Sequence, residues 1–205
     1  FITDDTHRDD LVAHVYDVTY GIVKTGDTLV VIDDSIVRGT TLKRSILRIL
    51  DRLGPKKIIV VSSAPQIRYP DCYGIDMSKM GEFVAFQALI NLLKQKGLDQ
   101  ELQKAYQKGL KQLELPKEEQ VNVVQELYDL VSTDEITAEI SRIVTPTEIK
   151  AEVELIFQSI ENLHLACPNH KGDWYFTGNY PTPGGIRVVN KAFINYMEGR
   201  NERGY

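Results

Sequence analysis

An apolar run that ends in two adjacent acids constrains this chain more than any other feature. Residues 28–32 (Thr-Leu-Val-Val-Ile) are followed by Asp33 and Asp34, and then by a short loop, Ser-Ile-Val-Arg-Gly-Thr-Thr, that leads into an amphipathic segment. A strand, a loop and a helix in this order place two carboxylates beside a helix N-terminus, whose N–H groups favour phosphate. Carboxylates suit sugar hydroxyls or Mg²⁺. The combination predicts a site for a sugar phosphate.

The residues that follow predict a β-α-β unit. Residues 28–34 and 57–63 are continuous runs rich in Val and Ile, which is typical of strands covered on both faces in a parallel sheet. Between them, apolar residues recur at helical spacing: Leu42, Ile46, Ile49, Leu50 and Leu53. We therefore expect an α/β fold with a right-handed crossover, and a ligand at the carboxyl end of the first strand.

Several stretches also resemble one known family. Residues 33–41 are similar to the phosphoribosyl-diphosphate (PRPP) loop of type I phosphoribosyltransferases, in the variant found in glutamine phosphoribosylpyrophosphate amidotransferases. Three further stretches resemble the same family in the same order: Ser-Ala-Pro-Gln-Ile-Arg-Tyr-Pro at 63–70, Tyr-Gly-Ile-Asp-Met at 73–77, and Phe-Thr-Gly-Asn-Tyr-Pro-Thr at 176–182. The resemblance implies part of a parallel-sheet type I phosphoribosyltransferase with an added helical segment.

The resemblance also implies a reaction. Family members transfer ammonia, released from glutamine, to PRPP and so form 5-phosphoribosylamine and diphosphate, the first committed step of purine biosynthesis, with Mg²⁺ as cofactor. They are expected to form homo-oligomers and to begin with a glutaminase domain whose N-terminal cysteine is the nucleophile. This chain begins at Phe1, so we expect a carboxy-terminal fragment that is inactive alone and receives ammonia through a domain it lacks.

Roles for single residues follow from the same resemblance. Asp33 and Asp34 are expected to hold the ribose 2- and 3-hydroxyls, directly or through Mg²⁺, although adjacent acids can also cap a helix. The loop is expected to bind the 5-phosphate through Ser35, Val37, Arg38, Gly39, Thr40 and Thr41. Gly39 lets the backbone approach the phosphate closely, whereas Arg38 either pairs with phosphate or points to solvent. No residue is assigned a catalytic role.

Two other segments have expected roles with open alternatives. Residues 63–69 line the nucleotide end of the pocket in the family, or they form a loop that only turns the chain; Arg68 is the residue there best suited to meet an anion. Residues 1–3 resemble the start of a lid over PRPP. Four acids make this lid acidic where diphosphate-gripping lids tend to be basic: Asp4, Asp5, Asp9 and Asp10.

The cysteines argue against an iron–sulfur cluster. Some family members hold one, and the positions of its ligands are occupied here by Asp71, Gly172 and Tyr175, while Cys72 is one place out. A cluster needs four thiolates, and the chain has two cysteines. Cys167 and the nearby His170 would supply only two zinc ligands.

Composition narrows the partners and the location. The 205 residues have a formal net charge of −5 and a pI near 5.4, which argues against a nucleic-acid-binding surface. The longest apolar stretch, residues 83–93, is too short to span a bilayer, and no secretory leader opens the chain. Two cysteines are too few for a disulfide scaffold, so we expect a cytoplasmic protein.

The rest of the chain is predicted to be mainly helical. We divide it into a partial phosphoribosyltransferase domain at 1–89, a helical insertion and helices at 90–165, and a loop-rich tail at 166–205. Apolar periodicity predicts helices over about 98–113 and 121–131, and another capped by Thr133 or Asp134.

A fourth helix is predicted to start at Pro146 and to continue through Leu163. Glycine and proline between Gly172 and Gly185 predict loops, followed by one short helix near Ala192 and Tyr196.

Two other functions would use the same sequence. A non-catalytic PRPP-sensing module would keep the loop, but it would normally add a basic DNA-binding segment, and none is visible. A helical interaction module at 90–165 is compatible with either function.

Overall fold

The strands of the sheet all run parallel. The structure is a computed structural model, and it describes residues 21–74 and 77–204. Within that part of the chain, three strands lie in the order β1 (Thr28–Asp33), β2 (Lys57–Ser62) and β3 (Glu152–Phe157). The register places Asp33, Ser62 and Phe157 side by side at the carboxyl edge. The predicted α/β fold with a parallel sheet and an added helical segment is confirmed.

Helices connect and cover the sheet. A π-helical turn, Leu42–Ile46, continues into α1 (Leu47–Asp51) between β1 and β2, so the predicted β-α-β unit is present. Short 3₁₀ turns span Met80–Glu82 and Lys117–Glu119. The remaining helices are α2 (Val84–Gln95), α3 (Asp99–Glu114), α4 (Val123–Tyr128), α5 (Thr133–Val144), α6 (Ile160–Ala166), α7 (Trp174–Thr177) and α8 (Pro183–Met197).

The core is centred on α2. This helix is apolar on most of its surface, and it packs against α5 on one side, while α3 packs against α8. Phe86 of α2 meets Phe193 and Tyr196 of α8 edge-on, and both phenylalanines are fully buried. The buried cluster takes residues from each of the three predicted parts, for example Leu47, Leu127 and Phe193. The division at 89 and 165 stays a prediction.

The predicted fourth helix is wrong, because residues 152–157 form β3 instead. The apolar residues at 149, 153, 156 and 160 fit helical spacing, but Val153, Leu155 and Phe157 also alternate as a strand does. Pairing with β2 decides between the two. Lys57 of β2 forms ion pairs with Glu152 at 2.9 Å and with Glu154 at 2.6 Å across the strands, so both acids have a partner in the sheet.

Two helix starts also differ from the predictions. The N-cap of α5 is Ser132, not Thr133 or Asp134: its hydroxyl accepts a hydrogen bond from Glu135 N, and the Glu135 carboxylate accepts one from Ser132 N. The last helix is longer than predicted, because Pro183 occupies its first turn and Thr182 caps it. Gly185 lies against the Tyr180 ring, where a Cβ would come within 2.4 Å.

None of the helices in the described part of the chain is both long and apolar enough to cross a membrane.

Candidate functional site

The two acids lie at the carboxyl end of β1, held there by the segment after β2. The Asp33 carbonyl accepts hydrogen bonds from Ser63 N at 2.9 Å and from Ser63 Oγ at 3.0 Å. The Asp34 carbonyl accepts one from Ala64 N at 3.0 Å. Main-chain bonds therefore fix both residues at the edge where parallel sheets bind ligands. Both residues are exposed, although the Asp33 carboxyl is partly buried.

The carboxylates form a compact pair. Asp34 N donates to Asp33 Oδ1 at 3.0 Å, and Ser35 N donates to Asp34 Oδ1 at 2.8 Å. Partial burial raises the pKa of Asp33; the hydrogen bond from Asp34 N opposes this, and the neighbouring Asp34 carboxylate adds to it. Among the described residues, neither carboxylate forms an ion pair with a cationic side chain. Two adjacent acids without a cation are suited to bind one.

The donor set fits the Mg²⁺ that the resemblance implies. Mg²⁺ prefers oxygen ligands and is commonly held by one or two carboxylates together with substrate phosphates and water. Asp33 and Asp34 supply carboxylate oxygens beside a loop suited to phosphate. The fit rests on this chemistry, and Mg²⁺ binding by the pair stays a prediction.

The underside of the loop rests on the helical core. Val84 N at the start of α2 donates to Val37 O at 2.8 Å, and Ile36 is buried. Gly39 has φ +68, and a Cβ at this position would lie 2.6 Å from Val144 Cγ1 at the end of α5. Glycine is thus required at this position for two reasons: its left-handed backbone conformation and the close approach of α5.

The hydroxyl residues of the loop lie at its outer side. Thr40 is exposed, and Ser35 and Thr41 are half-buried. Thr41 precedes the helical turn but makes no side-chain capping hydrogen bond there. The phosphate contacts expected of these hydroxyls stay a prediction.

Arg38 does what neither sequence alternative foresaw. Its guanidinium pairs with the Glu82 carboxylate at 2.7 Å, in the 3₁₀ turn before α2. The ion pair ties the loop to the start of the core helix. Glu82 belongs to no recognisable motif and lies far along the chain, so no sequence signal pointed to it.

Arg68 lies beside a cavity of about 410 Å³ that is separate from the loop. Its Nη2 donates to Gln66 Oε1 at 2.8 Å and to Thr133 Oγ1 at 3.0 Å, and its guanidinium lies 5.0 Å from the centre of the Tyr128 ring. Among the described residues it has no carboxylate partner. The predicted anion contact therefore stays open. Tyr128 and Thr133 belong to the helical segment, which sequence reasoning had given no role here.

A hydrogen bond joins two of the three positions that, by the resemblance, correspond to iron–sulfur cluster ligands. Tyr175 Oη donates to Asp71 Oδ1 at 2.8 Å, and Asp71 is buried. Burial raises the pKa of the Tyr175 hydroxyl, and so does the hydrogen bond to Asp71. Burial and the Asp71 charge likewise raise the pKa of the Cys72 thiol. The Tyr175–Asp71 hydrogen bond thus links α7 to the segment that follows β2.

Some predicted features lie outside the described residues. These are the proposed lid at residues 1–3, its acids at 4, 5, 9 and 10, and Ile75 and Asp76 of the 73–77 stretch.

The fold is consistent with one class of protein. A parallel three-stranded sheet covered by helices, with two acids and a glycine-containing loop at its carboxyl edge, is consistent with part of a type I phosphoribosyltransferase.

Comparison with known proteins narrows the class. No protein-family model matches the chain. The chain is 48% identical over 58 residues to an amidophosphoribosyltransferase of Pasteurella multocida, 45% identical over 60 residues to one of Pseudomonas aeruginosa, and 40% identical over 67 residues to one of Escherichia coli. The matched stretches cover 28–33% of this chain and 11–13% of those relatives. The predicted resemblance to amidophosphoribosyltransferases is confirmed over this stretch, which spans only a small part of their length.

Proposed function

We propose that this chain is part of an enzyme that transfers ammonia from glutamine to PRPP, forming 5-phosphoribosylamine and diphosphate in the first committed step of purine biosynthesis. The observation that carries the proposal is the position of Asp33 and Asp34. They lie at the carboxyl end of β1, directly before a loop that the helical core supports. The named relatives support the same reaction class.

In this proposal the acids bind the ribose. Asp33 and Asp34 accept hydrogen bonds from the 2- and 3-hydroxyls, and they would also hold Mg²⁺, which supplies positive charge beside the diphosphate. Departure of diphosphate leaves positive charge on the ribose. Fixed carboxylates stabilise that charge more in the transition state than in the ground state.

The loop binds the 5-phosphate in the same proposal. Backbone N–H groups between Ser35 and Thr41 and the hydroxyls of Thr40 and Thr41 donate to the phosphate oxygens. Val37 and Gly39 contribute only main chain, and their contacts with α2 and α5 fix the shape of the loop. Arg38 stabilises the loop through Glu82, and it can bind phosphate only by sharing or leaving that carboxylate.

The remaining parts of the proposal concern cofactors and surroundings. We propose that the protein carries no iron–sulfur cluster, supported by the Tyr175–Asp71 hydrogen bond between two expected ligand positions. We also propose that it works in the cytoplasm as a homo-oligomer, without nucleic-acid or membrane partners. The net charge of −5 supports the absence of a nucleic-acid surface.

Calorimetric titration tests the ribose contacts. PRPP and ribose 5-phosphate are titrated into the chain with and without Mg²⁺. Asp33→Asn and Asp34→Asn should each weaken binding by about 1.5–3 kcal/mol, the typical contribution of a hydrogen bond to a charged group, or roughly 10- to 150-fold. Asp99→Asn, an exposed acid at the start of α3, is the charge-matched control. Unchanged affinity in both site variants would contradict the proposal.

A further inference from the structure

A second cluster of chemically active side chains lies away from the loop, where α6 leads into α7. His164 is in α6, His170 is in the connection, and Asp173 immediately precedes α7. One ligand atom from each residue lies within 4.8 Å of the others. These residues are neither members of the PRPP loop nor the positions that the resemblance gives for cluster ligands.

The three side chains are already arranged as a set. His164 Nε2 lies 3.0 Å from Asp173 Oδ2. The rings of His164 and His170 are stacked, with their centres 4.5 Å apart and their planes 9° from parallel. His170 is exposed, and His164 is partly exposed. An ion from solvent can therefore reach the nitrogen and oxygen atoms between them.

A hydrogen-bonded support holds the carboxylate. The second oxygen of Asp173, Oδ1, accepts a hydrogen bond from Thr177 Oγ1 at 2.9 Å. The Asp173 carbonyl accepts bonds from Phe176 N at 2.9 Å and from Thr177 N at 3.1 Å in the first turn of α7. Such outer hydrogen bonds are the usual means by which proteins orient carboxylate ligands toward a metal. Oδ2 is thus held toward His164.

We propose that His164, His170 and Asp173 form a Zn²⁺ site, with water as the fourth ligand. Two imidazoles and one carboxylate suit zinc, which binds nitrogen and oxygen at about 2.0–2.2 Å in tetrahedral geometry. Such geometry separates ligand atoms by roughly 3.3–3.5 Å. Closing the cluster from 4.8 Å takes a shift of about 1.4 Å. Because zinc lies in the plane of each imidazole that binds it, the exposed His170 ring must also rotate out of its stack on His164. The bound ion would hold the connection at 167–172 against α6.

Cys167 is not one of the three ligands. It is exposed and lies between the two histidines in sequence. The sequence alone drew attention to Cys167 and His170. The structure instead selects His164 and Asp173 as the partners of His170.

Metal titration of the tag-free chain tests the site. We expect one tightly bound Zn²⁺ per chain in competition with a chromophoric chelator, and the visible absorption of tetrahedral cobalt when Co²⁺ replaces zinc. His170→Ala, His164→Gln and Asp173→Asn should each weaken Zn²⁺ binding at least about tenfold. Thr177→Val, which removes the hydrogen bond to Asp173 Oδ1 and the one accepted from Asn179 N, should weaken it by about 10-fold.

Two controls make the result decisive. The double variant His7→Ala/His14→Ala removes the other histidines, and Cys167→Ser removes the nearby thiol; both should bind Zn²⁺ like the parent. Since His170 is exposed, its alanine variant should keep the parent circular dichroism spectrum, which separates ligand loss from misfolding. Absence of stoichiometric binding, undiminished binding in His170→Ala, or loss of binding in either control would overturn the proposal.

Discussion

The PRPP loop region, including β1, and the helical core differ in how deeply their apolar side chains are buried. In β1, Val30 is 61% exposed and Ile32 is 73% exposed, and both site acids are exposed as well. In the helical core, Phe86 and Phe193 have no exposed surface. Apolar side chains are therefore more deeply buried in the helical core than in β1, and the hydrophobic stabilisation is correspondingly larger there, whereas the candidate chemistry lies on an exposed edge. Gly39 is where the two regions meet, because it lies against Val144 of α5.

The largest expected effect follows from truncating the core. Phe193→Ala should lower the free energy of unfolding by about 3–5 kcal/mol, the usual cost of emptying a buried phenylalanine site. Urea denaturation measures it. Val30→Ala in β1 is the control, and it should change stability by less than about 0.5 kcal/mol, since the side chain is mostly exposed. If both variants lowered the free energy of unfolding equally, β1 would contribute as much stability as the helical core, and the difference between the two regions would be contradicted.

A smaller effect is expected where the regions meet. Gly39 and Gly199 share φ +68, but a Cβ meets Val144 only at Gly39 and meets nothing within 4 Å at Gly199. Both alanine variants carry the cost of a left-handed backbone, about 1–2 kcal/mol. Gly39→Ala adds the clash, so it should be less stable than Gly199→Ala by about 1 kcal/mol or more, and it should also bind ribose 5-phosphate more weakly. Equal melting temperatures and unchanged binding would contradict the close approach.

The sequence predicted the parts whose signal is local. Residues 28–34 and 57–63 were predicted as strands from their continuous β-branched runs, and both form strands. The prediction that both faces are covered is wrong for β1, where Val30 and Ile32 are exposed. The segment of β3 was wrongly predicted as helix because its apolar residues also fit helical spacing. Its pairing with β2, where Lys57 lies beside Glu152 and Glu154, is a tertiary contact that the spacing does not show. Similarly, Gly39 was predicted to allow a close approach to phosphate, which stays a prediction, whereas its close approach to Val144 was not predicted. Arg38 with Glu82, and Arg68 with Tyr128, depend on tertiary packing that spacing does not encode.

The next effect concerns the cap of α5, the helix whose far end supports Gly39. Ser132→Ala removes the hydroxyl that accepts from Glu135 N, which should cost about 1 kcal/mol. Thr147→Ala, at an exposed position just beyond the other end of α5, is the control, and it should have little effect. If phosphate binding weakens in Ser132→Ala while the chain stays folded, the stability of α5 affects phosphate binding by the loop. If binding is unchanged, the loop depends only on the last turn of that helix.

The smallest effect is the pH dependence of the same cap. Hydrogen bonds from Lys96 and then from Ser132 lower the pKa of Glu135 from 4.5 to about 2. Because the folded pKa lies below the ordinary value, this stabilisation is fully present above pH 4.5 and is lost as the pH falls toward 2. Glu135→Gln should therefore lower the melting temperature near neutral pH, and its difference from the parent should shrink between pH 4.5 and 2. Asp99→Asn, whose carboxylate is also in the first turn of a helix, serves as the control for a general charge effect. A difference for Glu135→Gln that stays constant down to pH 2 would show that the carboxylate charge contributes nothing to the cap.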